Sequence, residues 1–288
     1  MRIVRAETLG MCFGVRDALK LMDRIADPSR VTVHGELVHN EVVLVELNAR
    51  GFETVDESKR ASLSNRPDVL ITAHGVSDRE RTRLEAAGKR LIDTTCPLVR
   101  RAHDAALTLR DEGRHILLIG KRGHVEVQGL VEDLPGHDVI ESEWEVAVYP
   151  HSRLGVICQT TSTEQDVERI RAVIVERNPD ANIRFIDTIC LPTKDHQRAV
   201  ERLIAQVDAV VVVGGKNSNN TKALAERTSD RGRPTVHVQG PADLDPDWFR
   251  PEWTIGLTAG TSTLDATIDA VHDALLSIAA SFEVEAMA

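Results

Sequence analysis

An internal repeat constrains this chain more than any other feature. The run L-I-D-T-T-C-P, Leu91 to Pro97, returns as F-I-D-T-I-C-L-P from Phe185 to Pro192, so Cys190 stands 94 residues after Cys96. Gly-Lys occurs at Gly120-Lys121 and again at Gly215-Lys216, and Thr-Ser-Thr at Thr161 to Thr163 and again at Thr261 to Thr263. Self-similarity at a fixed period signals stacked or symmetric copies of one supersecondary unit. Three α/β units fit the 288 residues, with borders expected at 1–96, 97–190 and 191–288. Cys96 and Cys190 close the first two. Cys12 would lie beside the end of the third unit in a cyclic arrangement, giving one cysteine per unit and one point on which they can converge.

Short apolar runs alternate with amphipathic stretches, as in Asp68 to Thr72, then Arg79 to Ala87, then Arg90 to Asp93. That alternation predicts βα units on parallel sheets. Further strands are expected at Ile3–Arg5, Val31–Val33, Ile116–Ile119, Leu154–Ile157, Ile183–Ile186, Asp208–Val213 and Thr254–Leu257. The loops that follow strands carry the polar chemistry: T-A-H-G-V-S at Thr72, G-K-R-G-H-V-E at Gly120, C-Q-T-T-S-T at Cys158, G-G-K-N-S-N-N-T at Gly214 and T-A-G-T-S-T at Thr258. In parallel sheets ligands gather at the carboxyl ends of strands, where helix N-termini favour anions. No linker rich in proline or serine separates the units, and Glu283 to Ala288 reads as a frayed tail.

Composition narrows the function class. Thirty-five basic against 45 acidic residues give a net charge of −10, with no basic run to track a phosphate backbone, so a nucleic-acid partner is not expected. The longest apolar stretch, Ala209 to Val213, falls far below the ~18 residues of a membrane span. The first ten residues contain no apolar core of a secretory signal, and a cytoplasmic location without a membrane partner is expected.

Four cysteines, Cys12, Cys96, Cys158 and Cys190, form no C-x-x-C pair. Three thiolates aimed at one axis suit a sulfur-preferring metal centre, and iron–sulfur clusters are held in this way. Burial as small apolar residues is the competing fate of free cysteines. Cys158 follows an apolar strand without the D-T-x-C context and is read as core. Lone histidines such as His103, His115 and His137 are read as ordinary surface or core residues.

Nine motifs carry a resemblance over nearly the whole chain: G-M-C-F-G-V (Gly10 to Val15), L-V-H-N (Leu37 to Asn40), A-H-G-V-S (Ala73 to Ser77), D-T-T-C-P-L-V (Asp93 to Val99), G-H-V-E-V-Q-G (Gly123 to Gly129), Q-T-T (Gln159 to Thr161), D-T-I-C (Asp187 to Cys190), K-N-S-N-N (Lys216 to Asn220) and T-A-G-T-S (Thr258 to Ser262). In these the sequence resembles the 4-hydroxy-3-methylbut-2-enyl diphosphate reductases, which complete the non-mevalonate isoprenoid pathway. The resemblance implies a trefoil of three α/β units around a [4Fe-4S] cluster with three cysteine ligands, Cys12, Cys96 and Cys190, and one open iron. It implies that His39, His74, His124, Ser218, Asn219, Asn220 and Ser262 surround the substrate diphosphate, and that Glu126, Thr160 and His124 serve the reacting alcohol. The implied partners are an allylic diphosphate and an electron donor of the ferredoxin or flavodoxin type, for which Arg100, Arg101 and Arg122 are candidate docking charges. The chain departs from the family pattern at Asn219, where a second serine is frequent, at Leu191-Pro192 and at Leu264. An iron–sulfur hydro-lyase or hydratase acting on a phosphorylated compound is the alternative, since it too needs an open iron but no external electrons. A non-catalytic cluster protein that senses redox state is a third reading.

Overall fold

A computed structural model describes residues 1–38, 40–56, 59–60 and 62–287. The chain forms two compact units: one comprises Met1–Phe13, His39–Glu41 and Leu191–Ala288, the other Gly14–Val38 and Val42–Cys190.

The larger unit holds two four-stranded parallel sheets. The first contains β2 (Val31–His34), β3 (Glu53–Val55), β4 (Asp68–Ile71) and β5 (Arg90–Asp93), in the order β3-β2-β4-β5. The second contains β6 (His115–Ile119), β7 (His137–Ile140), β8 (Arg153–Cys158) and β9 (Asn182–Phe185), in the order β7-β6-β8-β9. In the smaller unit β1 (Arg2–Arg5) joins β10 (Ala209–Val213), β11 (Thr235–Val238) and β12 (Thr254–Ala259) as β1-β12-β10-β11. Numbered from the first strand of each repeat, all three sheets have the order second, first, third, fourth. The third sheet takes its fourth strand from the N-terminus, β1 pairing in parallel with β12 from Arg2 opposite Thr254 to Arg5 opposite Leu257.

Parallel strands covered on both faces read as continuous apolar runs, with alternate side chains going to opposite layers. In β6, Ile116 and Leu118 pack with Ala102, Ala105, Ala106 and Leu109 of α4 (Pro97–Asp111) and Leu130 of α5 (Val125–Val131). Leu117 and Ile119 pack instead with Val167, Ile170 and Ile174 of α6 (Glu164–Arg177). β10 does the same in the smaller unit. Val210 and Val212 meet Val200 and Leu203 of α7 (Leu191–Ile204) and Leu224 of α8 (Asn219–Asp230). Ala209, Val211 and Val213 meet Ile268, Val271 and Leu275 of α9 (Asp265–Met287). The run from Glu283, expected to fray, continues α9 to Met287, since Glu, Ala and Met are good helix formers.

The strands named from the sequence are all present, and the structure adds β3, β7 and β11. These occupy the same edge position in each sheet and bury few side chains, so Glu53-Thr54-Val55 or His137-Asp138-Val139-Ile140 lacks the apolar run that marks the inner strands.

Candidate active site

Each of Cys12, Cys96 and Cys190 follows the fourth strand of a sheet and directly precedes a helix: α1 (Phe13–Asp23), α4 and α7 respectively. Each is fixed by the same bond. The Cys96 amide donates to the Ala73 carbonyl (3.0 Å), that of Cys190 to Thr160 (2.9 Å) and that of Cys12 to Thr261 (2.9 Å). All three acceptors stand two residues beyond the end of the third strand. At Cys96 and Cys190 the repeated D-T-x-C sequence builds this geometry from a local turn and a bond to the neighbouring strand. Asp93 accepts from the Thr95 amide (2.9 Å) and Asp187 from that of Ile189 (3.1 Å), turning the chain; the hydroxyls of Thr94 and Thr188 donate to the last carbonyls of β4 and β8, Ile71 and Cys158. Burial works against the charge on Asp93, but Thr95, Arg100 and Arg81 outweigh it and hold the carboxyl well below the usual range.

Gly14 makes room for a thiol. A Cβ built on it would lie 2.5 Å from Cys96 Sγ and 3.2 Å from Cys96 Cβ. The sulfur therefore rests against the start of α1 where only glycine allows the approach. Cys158 is placed differently, fully buried at the end of β8 among Leu117, Ile119 and Val156, and burial pushes its thiol up.

In the larger unit His74, His124, Glu126 and Thr160 come together. Glu126 is 2% exposed. Its Oε1 accepts from the Thr160 amide (2.6 Å) and its Oε2 from the Thr160 hydroxyl (2.8 Å). His124 caps α5 through Nδ1, which accepts from the Glu126 amide at 3.1 Å, so the neutral ring carries its proton on Nε2. His74 meets it edge to face, with ring centroids 5.6 Å apart. Beside Thr160, buried Gln159 accepts from the Lys121 amide (3.0 Å).

The smaller unit brings together Ser218, Asn220 and Ser262, with Asn219 opening α8. Ser218 caps α8, accepting from the Thr221 amide, and its hydroxyl lies 3.5 Å from that of Ser262. Asn220 Oδ1 accepts from the Thr261 amide (3.0 Å), which fixes the side-chain amide. Among the described residues its buried Nδ2 has no hydrogen-bond partner, although a buried donor without one is destabilising unless something supplies an acceptor. His39 lies outside the described residues.

Residues not singled out from the sequence hold these loops. Asn40 Nδ2 donates to the Ser262 carbonyl (2.8 Å), and buried His196 lies between the Pro192 carbonyl (2.7 Å, Nδ1) and the Gly10 carbonyl (2.9 Å, Nε2). Asn40 was visible as the last letter of L-V-H-N; nothing local marks His196. Of the arginines considered for docking, Arg122 pairs with Glu145 (2.8 Å) and Glu141 (3.5 Å), and Arg100 with Asp93 (2.8 Å), which offsets both charges locally. Among the described residues no helix is long and apolar enough to cross a membrane.

The family model described as LytB protein matches residues 3–276. The chain belongs to the LytB family. Curated members include the 4-hydroxy-3-methylbut-2-enyl diphosphate reductases of Solidesulfovibrio magneticus, 36% identical over 96% of this chain and 100% of that one, and of Aquifex aeolicus, 31% identical over 96% of each. Among solved LytB-like structures, the Plasmodium falciparum E-1-hydroxy-2-methyl-but-2-enyl-4-diphosphate reductase has a TM-score of 0.84 at 25% identity, covering 94% of this chain and 87% of that one. A second, described as the terminal enzyme of the non-mevalonate pathway, has a TM-score of 0.67 at 29% identity, covering 96% and 100%.

Proposed function

We propose that this protein is a reductase that removes the hydroxyl of 4-hydroxy-3-methylbut-2-enyl diphosphate as water, with two electrons and two protons, giving isopentenyl and dimethylallyl diphosphate. The carrying observation is the threefold recurrence of one cysteine geometry, each thiol before a helix and each amide tied two residues past a third strand. An iron–sulfur cofactor comes with the family, and Cys12, Cys96 and Cys190 are the residues that would hold it as a [4Fe-4S] cluster. Bound there, such a cluster with one open iron supplies the Lewis acid for the alcohol and the electrons. The donor set fits, because three soft thiolates suit iron and sulfide, and Gly14 leaves the space that the Cys96 sulfur occupies.

The chain's own residues have three tasks. Ser218, Asn220 and Ser262, together with His39, His74 and Asn219, would hold the diphosphate. The Nδ2 of Asn220 and the two adjacent hydroxyls offer donors to phosphate oxygens, each such charge-assisted bond being worth about 1.5–3 kcal/mol. Glu126, oriented through both oxygens by Thr160, would deliver a proton to the allylic fragment or the departing oxygen. His124 presents Nε2–H and fixes the first turn on which Glu126 sits. Electrons would come from a ferredoxin- or flavodoxin-type donor.

Anaerobically prepared protein, assayed with dithionite and a dye mediator, should convert the allylic diphosphate to the two isomeric products and should stop when the reductant is withheld. Turnover without reductant would identify a hydro-lyase instead.

A further inference from the structure

Each turnover of this reaction consumes two protons, and a Glu126 that gives one up becomes a carboxylate that must be reloaded. At 2% exposure it cannot do so by direct contact with bulk water. A cavity of about 30 Å³ in the larger unit has Glu126, His74, Asp78, Arg81, Arg100 and His103 among its lining residues. About 10–15 Å³ admits one water molecule, so the cavity has room for about two.

His103 and Asp133 have the form of a proton-transfer pair. His103 Nε2 lies 2.8 Å from Asp133 Oδ2, and the same carboxylate accepts from the amides of Asp78 (2.7 Å) and Arg79 (3.1 Å) at the start of α3 (Asp78–Ala86). Burial opposes the charge on Asp133, but those two amides and His103 outweigh it and keep the carboxyl below the ordinary range. An acceptor-only carboxylate orients the imidazole with Nε2–H toward it and leaves Nδ1 to take up and release a proton, the same orienting logic as in catalytic Asp–His pairs. The groups facing His103 and the cavity are Asp78 and Arg81 from α3, Arg100 from α4, Asp133 after α5, Glu126 from α5 and His74 from the loop after β4. One donor or acceptor atom from each of Asp78, His103 and Asp133 lies within 4.8 Å of the other two, which places these proton-binding groups together.

We infer that His103, oriented by Asp133, is where protons enter from solvent and that water in this cavity carries them to Glu126. The inference rests on the reductase reading. Per proton, the His103 imidazolium gives up one H⁺, water relays it, the Glu126 carboxylate gains it, and His103 is reloaded from solvent; the two electrons come separately from the external donor. The route gives His103 no contact with substrate or cofactor; it acts through Glu126, as a positioning residue for the proton.

The test measures kcat, KM and iron content for wild type, His103→Ala, Asp133→Asn, Glu126→Gln and the His103→Ala/Glu126→Gln double variant, with dithionite and mediator in excess. His103→Ala should lose about a hundredfold in kcat, the low end of the ~10²–10⁴-fold worth of positioned proton transfer, with KM and iron content unchanged, and added imidazole should restore most of the loss. Asp133→Asn, which keeps the shape and an amide acceptor, should lose kcat in the same direction. The double variant should be no slower than Glu126→Gln alone, because both changes interrupt one route. A His103→Ala kcat within twofold of wild type, or a loss that imidazole leaves untouched and that multiplies with Glu126→Gln, overturns the route; if His103→Ala fails to fold, a wild-type kcat for Asp133→Asn does so. Wild-type protein with full iron and no reductant-dependent turnover would overturn the reductase reading itself, a result separable from all of these.

Discussion

Gly14→Ala separates cofactor binding from folding. The new methyl would sit 2.5 Å from Cys96 Sγ, where ordinary contacts between heavy atoms lie near ~3.5–4.0 Å, so the sulfur or the start of α1 has to move by about 1 Å. Overpacking of this kind costs about 1–3 kcal/mol, whereas alanine in place of glycine inside a helix returns roughly 0.5–1 kcal/mol. The net loss of stability is then about 0–2.5 kcal/mol, within what a domain of ordinary stability tolerates. A ligand atom displaced by about 1 Å is a different matter, because constellations of this kind need placement to within about 0.5 Å. The variant should keep its circular dichroism and show a small drop in melting temperature, but lose most of its iron and visible absorption after anaerobic reconstitution. Gly240→Ala is the control, since a Cβ there meets nothing within 4 Å. Gly14→Ala protein with a full complement of iron and normal turnover would refute the placement of Cys96 as a ligand.

Three further outcomes follow from the same geometry. Cys158→Ala should retain iron and turnover while losing some stability, because its thiol is buried in the second sheet's core; iron loss would contradict that. Asn220→Ala should weaken binding of the diphosphate by about 10- to 150-fold, the worth of one charge-assisted bond, while affinity for the non-phosphorylated alcohol, measured by calorimetry, stays unchanged. Burial, with Arg60 and Arg83 nearby, lowers the pKa of His34 from 6.5 to about 4 against the opposing pull of Glu80 at 2.9 Å. The unfolded chain therefore binds a proton more readily between those values, and stability contributed by neutral His34 is present above pH 6.5 and lost as pH falls toward 4, on the order of 3 kcal/mol in all. His34→Gln should flatten that part of the denaturation profile measured in urea, and an unchanged acid limb would refute the assignment.

How much of this was legible in the sequence depends on how local the signal is. The inner strands announced themselves as valine and leucine runs, and the D-T-x-C repeat pointed to the threefold topology and the cysteine turns, because the Asp93 and Asp187 bonds act within two residues, whereas the Thr94 and Thr188 bonds reach carbonyls 23 and 30 residues away. The edge strands β3, β7 and β11 were invisible, since half-exposed strands have no need of an apolar run. Ser218 as a helix cap and Glu126 on a first turn were readable from residue type alone. What the sequence could not show was pairing at a distance: Thr160 holding both oxygens of Glu126 from 34 residues away, Asn40 holding the Ser262 carbonyl from 222 away, and His196 bonded to Gly10 from 186 away. His103 reads as an ordinary surface histidine until Asp133 and the cavity are placed beside it.

The central claim is that the three repeat-equivalent cysteines hold one cluster. Mössbauer spectroscopy with iron and sulfide analysis on ⁵⁷Fe-reconstituted wild type, Cys12→Ser, Cys96→Ser, Cys190→Ser and Cys158→Ala tests it directly. Four irons per chain in wild type, one of them distinct from the other three, with loss of the cluster in each of the three serine variants and retention in Cys158→Ala, is the predicted result. A serine variant at Cys12, Cys96 or Cys190 that keeps the wild-type spectrum and iron content, or a wild-type spectrum with four equivalent irons, would contradict the account.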